Sequence, residues 1–236
     1  MTERMASSWQ DPEVARRFIE ERRAAIPFGS DQVGVMFRLV RHFRPEPQHL
    51  LDLGCGDGFL ARALLTAYPH ARAVLIDHSE PMLERARQAM APVADRCEIL
   101  QGDLRDPLSQ LVSHTPDLVV SGYAIHHLPH PRKRSLYGEI FTLLAPGGLF
   151  VNIEHVASVS SESEACFDTA YIEHIVARTG KDRARVEVEY HGRPDKVDNI
   201  LERVEVQVDW LRELGFLHAD CYFKWLELAV LAGVKP

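Results

Sequence analysis

Few features of this sequence point toward membranes, structural metals or nucleic acid. No apolar run in its 236 residues reaches the ~18 needed to cross a bilayer, and Met1-Thr2-Glu3-Arg4-Met5-Ala6-Ser7-Ser8 has no apolar stretch of the kind an export signal carries. Neither a membrane anchor nor secretion is expected. The four cysteines, Cys55, Cys97, Cys166 and Cys221, show no CxxC spacing, which argues against a zinc site and a disulfide framework and fits a reduced cytoplasm. Positive charge is in deficit: 27 Lys and Arg against 34 Asp and Glu give a net charge of -7, so phosphate backbones are not generally attracted and nucleic acid is not the expected partner. Internal repeats and low-complexity tracts are also missing.

What is present is a chain with 46% hydrophobic and 26% charged residues, long enough for one sizeable core in a single α/β domain. Its organising stretch is Leu50-Leu51-Asp52-Leu53-Gly54-Cys55-Gly56-Asp57-Gly58-Phe59-Leu60. An apolar run ends in an acid, turns on alternating glycines and opens into a helical pattern, so it reads as strand, tight turn, helix. A dinucleotide fingerprint would need a glycine where Phe59 stands, which weakens an NAD reading. A second acid closes the next strand, Val74-Leu75-Ile76-Asp77. Carboxylates at strand tips suit ribose hydroxyls and a cationic ligand, and S-adenosylmethionine offers both without a phosphate.

The remaining chain alternates strand and helix. The patterns predict strands at 49–52, 72–77, 97–101, 116–121 and 148–154, with helices at 59–68, 80–90, 107–112 and 132–144 between them. Such alternation implies parallel pairing with right-handed crossovers. Asp11-Pro12-Glu13 is a helix start whose stripe runs through Val14, Phe18 and Ile19 to Pro27. A second helix spans 31–43. Ser161 and Glu164 make a capping box for a helix to about 179, residues 180–199 give no clear pattern, a last helix ends at Leu214-Gly215, and 219–225 with 227–234 read as a terminal antiparallel hairpin.

On these motifs the sequence resembles the class I S-adenosylmethionine-dependent methyltransferases. Leu51 to Gly58 matches the family's first motif, Asp77 its ribose-binding acid, Gln101-Gly102-Asp103-Leu104 its adenine-side motif, Asp117 to Ser121 its fourth strand, and Leu144-Ala145-Pro146-Gly147-Gly148 the turn into its fifth. The resemblance is close over residues 31 to 155. It implies a doubly wound, seven-stranded, mostly parallel Rossmann-like sheet with a C-terminal antiparallel hairpin. The expected layout is one domain over 1–236: a helical cover (1–44), a cofactor-binding core (45–155), a substrate-site insertion (156–200), and the last helix with the hairpin (201–236). The implied cofactor is S-adenosyl-L-methionine, the implied partner a small-molecule methyl acceptor, and a homodimer is admissible.

The resemblance also implies roles. Asp52, Cys55 and the Gly54, Gly56 and Gly58 backbone would underlie the cofactor, with Cys55 a small filler. Asp77, beside His78, would accept from the ribose. Gly102, Asp103 and Leu104 would meet the adenine, and Met82 would cover a ring face or belong to the core. Ser121, at the tip of the fourth strand, would also border the cofactor, and it opens a stretch, Tyr123-Ala124-Ile125-His126-His127, where the family's acceptor site lies. His127, ahead of His126, is the candidate base, with helix entry as the rival role. Tyr123, Glu154, His155, Tyr171, His174, His191 and Trp225 are acceptor-pocket candidates; the N-terminal arginines read first as a solvated helix face, with Arg17 or Arg23 meeting the methionine carboxylate as the alternative. The branch of the family that uses magnesium has acids where this chain has Tyr123 and histidines, so no metal is expected. Two rival readings remain: a tRNA-modifying or carboxy-S-adenosylmethionine-related enzyme, marked by an arginine such as Arg193 facing the methyl position, and a cofactor-binding regulatory module without catalysis.

Overall fold

The computed structural model describes residues 8–17 and 26–236. Helix α1 (Pro12–Arg17) opens on Asp11, whose carboxylate accepts from the Glu13 amide at 2.8 Å. The expected continuation of its stripe through Phe18 and Ile19, and the proposed role of the Arg17 or Arg23 side chain, lie outside the described residues. Helix α2 (Gly29–Phe43) follows and buries Gln32, Met36, Leu39 and Val40 along one face.

The sheet is built from β1 (His49–Leu53), β2 (Arg72–Asp77), β3 (Cys97–Gln101), β4 (Leu118–Gly122), β5 (Leu149–His155), β6 (Leu217–Trp225) and β7 (Leu228–Val234), in the order β3-β2-β1-β4-β5-β7-β6. The first five strands are parallel, and β7 runs antiparallel to both β5 and β6. Alternation along each parallel strand feeds two cores, as burial on both faces requires. Leu50, Leu75, Val120 and Val151 pack with α2, α3 (Phe59–Ala67) and α4 (Glu80–Met90). Leu51, Leu53, Val74, Ile76 and Phe150 face α5 (His130–Leu143) and α8 (Val204–Glu213). The chain leaves β1 toward β2 and β3, then returns to add β4 on the opposite side. The crevice that opens at such a switch point lies above the carboxyl ends of β1 and β4. At the other end, Asp117 locks the layers by accepting from Arg44 Nη2 at 2.6 Å and from the amides of Gln48 and His49.

The insertion contains α6 (Ser161–Thr179), capped by Ser160, whose hydroxyl accepts from the Ser163 amide. The unpatterned 180–199 segment holds α7 (Arg183–His191), started by an Asp182 cap, and a 3-10 turn over Pro194–Asp198. Only Val186 and Tyr190 of α7 are buried, too few to give the sequence a helical stripe. The helix expected at 107–112 is reduced to a 3-10 turn over Leu108–Gln110. No described helix is long and apolar enough to cross a membrane.

Candidate functional site

The carboxyl ends of β1, β2 and β4 border a cavity of about 1110 Å³. Its floor is the turn after β1. Gly54 takes φ +67°, and a Cβ there would stand 2.1 Å from the Ala124 Cβ, so only glycine lets the β1 and β4 loops meet. The Gly54 and Cys55 amides both donate to the Ile76 carbonyl, and the Gly56 amide donates to Asp77 Oδ2 at 2.8 Å. Asp77 Oδ1 accepts from the Ser79 amide at 2.8 Å. Asp77 thus fixes the shape of the glycine loop from the neighbouring strand, and burial raises its pKa despite these donors.

Asp52 is the most unusual acid on this wall. It is 1% exposed, its Oδ2 accepts from the Ala61 amide at 3.1 Å, and its Oδ1 is buried with no hydrogen-bond partner among the described residues. Burial, and then the Asp77 and Asp57 charges, push its pKa up to about 7 against the opposing pull of the Ala61 amide. The Nε2 atom of His78, also on the wall, is buried without a partner among the described residues. A buried acceptor and an imidazole nitrogen left open in one cavity fit a ligand bearing an ammonium and hydroxyl groups. Asp103 and Leu104 complete this side, with Asp103 in a 2.6 Å ion pair to Arg105.

A second, smaller space of about 70 Å³ adjoins the first, and Trp9, Ile26, Tyr123 and His127 line both. Its walls are aromatic (Phe167, Tyr171, Tyr190) and basic (His126, His155, Arg193). The Arg193 guanidinium lies 4.4 Å from the centre of the Tyr190 ring, and its Nε is buried without a partner among the described residues. Tyr123 stands between the two spaces with φ +54°, a strained value for a ring-bearing residue, and its hydroxyl donates to Gln32 Oε1 at 2.6 Å.

The paired histidines separate into different roles. His127 Nδ1 lies 3.2 Å from the Asp198 carbonyl and must carry the proton, while its Nε2 accepts from Trp9 Nε1 at 3.1 Å. Burial and the neighbouring His126 hold its pKa down to about 3. Both nitrogens are therefore engaged, and as observed His127 has no free lone pair for an acceptor proton. His126 puts Nδ1 2.6 Å from Glu154 Oε1. Glu154 is wholly buried, and burial raises it to about 7 against donors from Asn152 and the His155 amide. Burial, and then the His155 charge, drive His126 well down. One proton lies between the two partners, and His126 faces the small space.

A strap formed by Ser8–Gln10 crosses this region. The Ser8 amide and hydroxyl donate to Asp198 Oδ2 at 3.0 and 2.6 Å, Gln10 Nε2 donates to the His78 carbonyl at 2.6 Å, and the Ser79 hydroxyl donates to the Trp9 carbonyl.

Of the residues singled out from sequence, Asp52, Gly54, Cys55, Gly56, Asp77, His78, Met82, Asp103, Leu104, Tyr123, His127 and His174 line the larger cavity. His126, His155 and Tyr171 line the smaller one. Six are corrected. Gly58 faces Leu75 and Met90, and Gly102 faces Leu111 and Ile76, so both serve packing. The Ser121 hydroxyl donates to the Leu53 carbonyl inside the sheet. Glu154 lies beneath His126 rather than on a wall. Trp225 packs on Phe28 and Phe167, and His191 is a surface residue 3.9 Å from Asp168. Sequence reasoning missed Trp9, Gln32 and Arg178. Only Gln32 had a signal, a polar side chain on the apolar stripe of α2. Among the described residues no group of three or more His, Cys, Asp or Glu is placed to hold a metal.

A family profile described as a methyltransferase domain matches residues 50–148. The carboxy-S-adenosyl-L-methionine synthase of Klebsiella pneumoniae subsp. pneumoniae is 26% identical over 239 residues, covering 95% of this chain and 90% of the relative. The protein of the same name from Desulforapulum autotrophicum is 26% identical, covering 94% and 89%. Among solved structures, the N-methyltransferase NodS of Bradyrhizobium japonicum in complex with S-adenosyl-L-homocysteine superposes with a TM-score of 0.63 at 17% identity, covering 96% and 98% of the two chains. Magnesium protoporphyrin IX methyltransferase of Synechocystis gives 0.63 at 16% identity, covering 95% and 94%.

Proposed function

We propose that this chain, which is similar to the class I S-adenosylmethionine-dependent methyltransferases, methylates a small molecule held between the glycine loop and the insertion. The observation that carries this reading is the size of the cavity beside its unpaired wall atoms. About 1110 Å³ exceeds what one ligand usually fills, and only the β1–β2 side carries the open Asp52 Oδ1 and His78 Nε2. The remainder, toward Phe28, Val33, Tyr123 and Ile200, is the room for the acceptor. Bound on the β1–β2 side, the cofactor would supply an electrophilic methyl group on a sulfonium.

The chain's own part is placement and proton management. Asp52 would meet the ammonium of the methionine portion, Asp77 would hold the glycine loop while its remaining lone pairs meet the ribose, and Asp103 and Leu104 would face the adenine. Tyr123 and Trp9 keep the junction of the two spaces apolar and dry, which favours an in-line displacement that needs close approach more than chemical activation. For an acceptor that must lose a proton, His126 is the base: Glu154 holds Nδ1, leaving Nε2 to receive the proton and the carboxylate to stabilise the imidazolium. The test is S-adenosylhomocysteine formation over a panel of hydroxyl, amine and activated-carbon acceptors, with Glu154→Gln beside the parent. Calorimetry with S-adenosylmethionine accompanies it, and absence of binding by the parent ends the reading.

A second reading is favoured by Arg193. Its guanidinium, in the small space beside Tyr123, would suit a cofactor whose transferable carbon carries a carboxylate, and the relatives named as carboxy-S-adenosyl-L-methionine synthases support it. Mass spectrometry of the ligand that copurifies with the parent and with Arg193→Ala separates the two readings.

A further inference from the structure

Helix α6 presents one face to the acceptor side. Tyr171, His174 and Arg178 follow at the spacing that aligns side chains along a helix, the first in the small space and the other two on the wall of the large cavity. Among the described residues, two arginines line that cavity. Arg105 is committed to Asp103, whereas Arg178 has no hydrogen bond or ion pair among the described residues. Beside it, burial and then the Arg178 charge lower the pKa of His174. The second observation is independent of charge. Phe28, Val197 and Ile200 also border this cavity, yet they are 45%, 83% and 36% exposed. Three large apolar side chains left in water at a cavity mouth signal a ligand with an apolar body.

We propose that the acceptor is an amphipathic organic anion: an aromatic or aliphatic body seated on Phe28, Val197 and Ile200, with a carboxylate or comparable acidic group on Arg178. The inference rests on the reading of this cavity as a methyl-acceptor site. Arginine suits the role, since its guanidinium binds a carboxylate through two parallel hydrogen bonds. Six acids share the cavity wall among the described residues: Asp52, Asp57, Asp77 and Asp103 belong to the cofactor side, Asp198 accepts from Ser8, and Asp31 lies beside Ser30 at the start of α2. A cation in the last turn of a helix also complements the helix dipole, but that role makes no distinction between charged and neutral ligands.

The experiment is calorimetric titration of the S-adenosylhomocysteine-loaded protein with 2-naphthoate and with 2-naphthamide, probes of one body and different charge. Naphthoate is expected to bind at least tenfold more tightly to the parent, and Arg178→Gln is expected to erase the difference while the S-adenosylhomocysteine affinity stays unchanged. Arg183→Gln, on the neighbouring α7, is expected to keep it. Equal binding of the two probes, no binding of naphthoate by the parent, or a preference that survives Arg178→Gln overturns the proposal. Failure of the parent to load S-adenosylhomocysteine is a different result, since it removes the methyltransferase reading of the cavity itself.

Discussion

Replacing Asp52 by asparagine tests how the cofactor half of the cavity works. In the folded chain without ligand, Asp52 titrates near 7 rather than at the ordinary 3.8, because it is buried with one oxygen unpartnered. Its folded pKa lies above the unfolded one, so its contribution to stability is fully present below about pH 4 and is lost as pH rises through about 7. Keeping the carboxylate ionised at pH 8 costs on the order of 4 kcal/mol. A bound ammonium reverses the balance by supplying the missing charge-assisted hydrogen bond. Two consequences follow for S-adenosylhomocysteine, which retains that ammonium. Its Kd in the parent should rise roughly tenfold per pH unit below about 7, as the carboxyl must be deprotonated to bind. In Asp52→Asn affinity should fall by about 3 kcal/mol, roughly a hundredfold, and lose this pH dependence. The unliganded variant should also keep its stability between pH 5 and 8 where the parent declines. Calorimetry and thermal unfolding from pH 5.5 to 8.5 read both effects. Binding to Asp52→Asn with parental affinity, or a flat pH profile in the parent, would refute the assignment.

Gly54→Ala forces a Cβ into Ala124 at a left-handed backbone position. Cofactor binding should be abolished and stability should drop by about 2 kcal/mol or more, as seen by thermal unfolding. Glu154→Gln keeps the shape beneath His126 but removes the charge that stabilises its protonated form. For an acceptor that loses a proton, kcat should fall by about 10²-fold or more with S-adenosylhomocysteine affinity unchanged, and an unchanged kcat would remove His126 from the chemistry. Trp9→Phe deletes the donor to His127 while keeping an aromatic ring. Stopped-flow dissociation of S-adenosylhomocysteine should then quicken by about fivefold, the worth of one hydrogen bond. Lys133→Met leaves the Leu128 and Ile200 carbonyls without the buried ammonium that joins them. A loss of about 2 to 4 kcal/mol in chemical denaturation is expected.

The parts of this molecule that were legible in the sequence are those governed by local rules. The Leu50–Leu53 run, the glycines after it and the acid closing Val74-Leu75-Ile76-Asp77 declare strand, turn and strand tip through periodicity and turn chemistry alone. Two strands, Arg72–Asp77 and Cys97–Gln101, have the bounds read from sequence. The reading weakened where tertiary packing decides. His126 and His127 are neighbours on one 3-10 turn, and only the fold shows that one meets Glu154 and the other meets Trp9 and Asp198. Gly58 and Gly102 carry the motif's spacing but are held by Leu75, Met90, Leu111 and Ile76, residues distant in sequence. Helix α7 left no stripe because two residues suffice to dock it. Trp9 gave no signal, as its partners lie 70 and 118 positions away.

Those long-range partners give the first described turn of the chain a consequence for how the two sides of the cavity are joined. Ser8, Trp9 and Gln10 grip His78 and Ser79 at the end of β2 and, on the opposite bank, Asp198 and His127. Three consecutive residues thereby tie the end of β2 to the 3-10 turns that carry His127 and Asp198, so a change at either bank is felt at the other through one short segment.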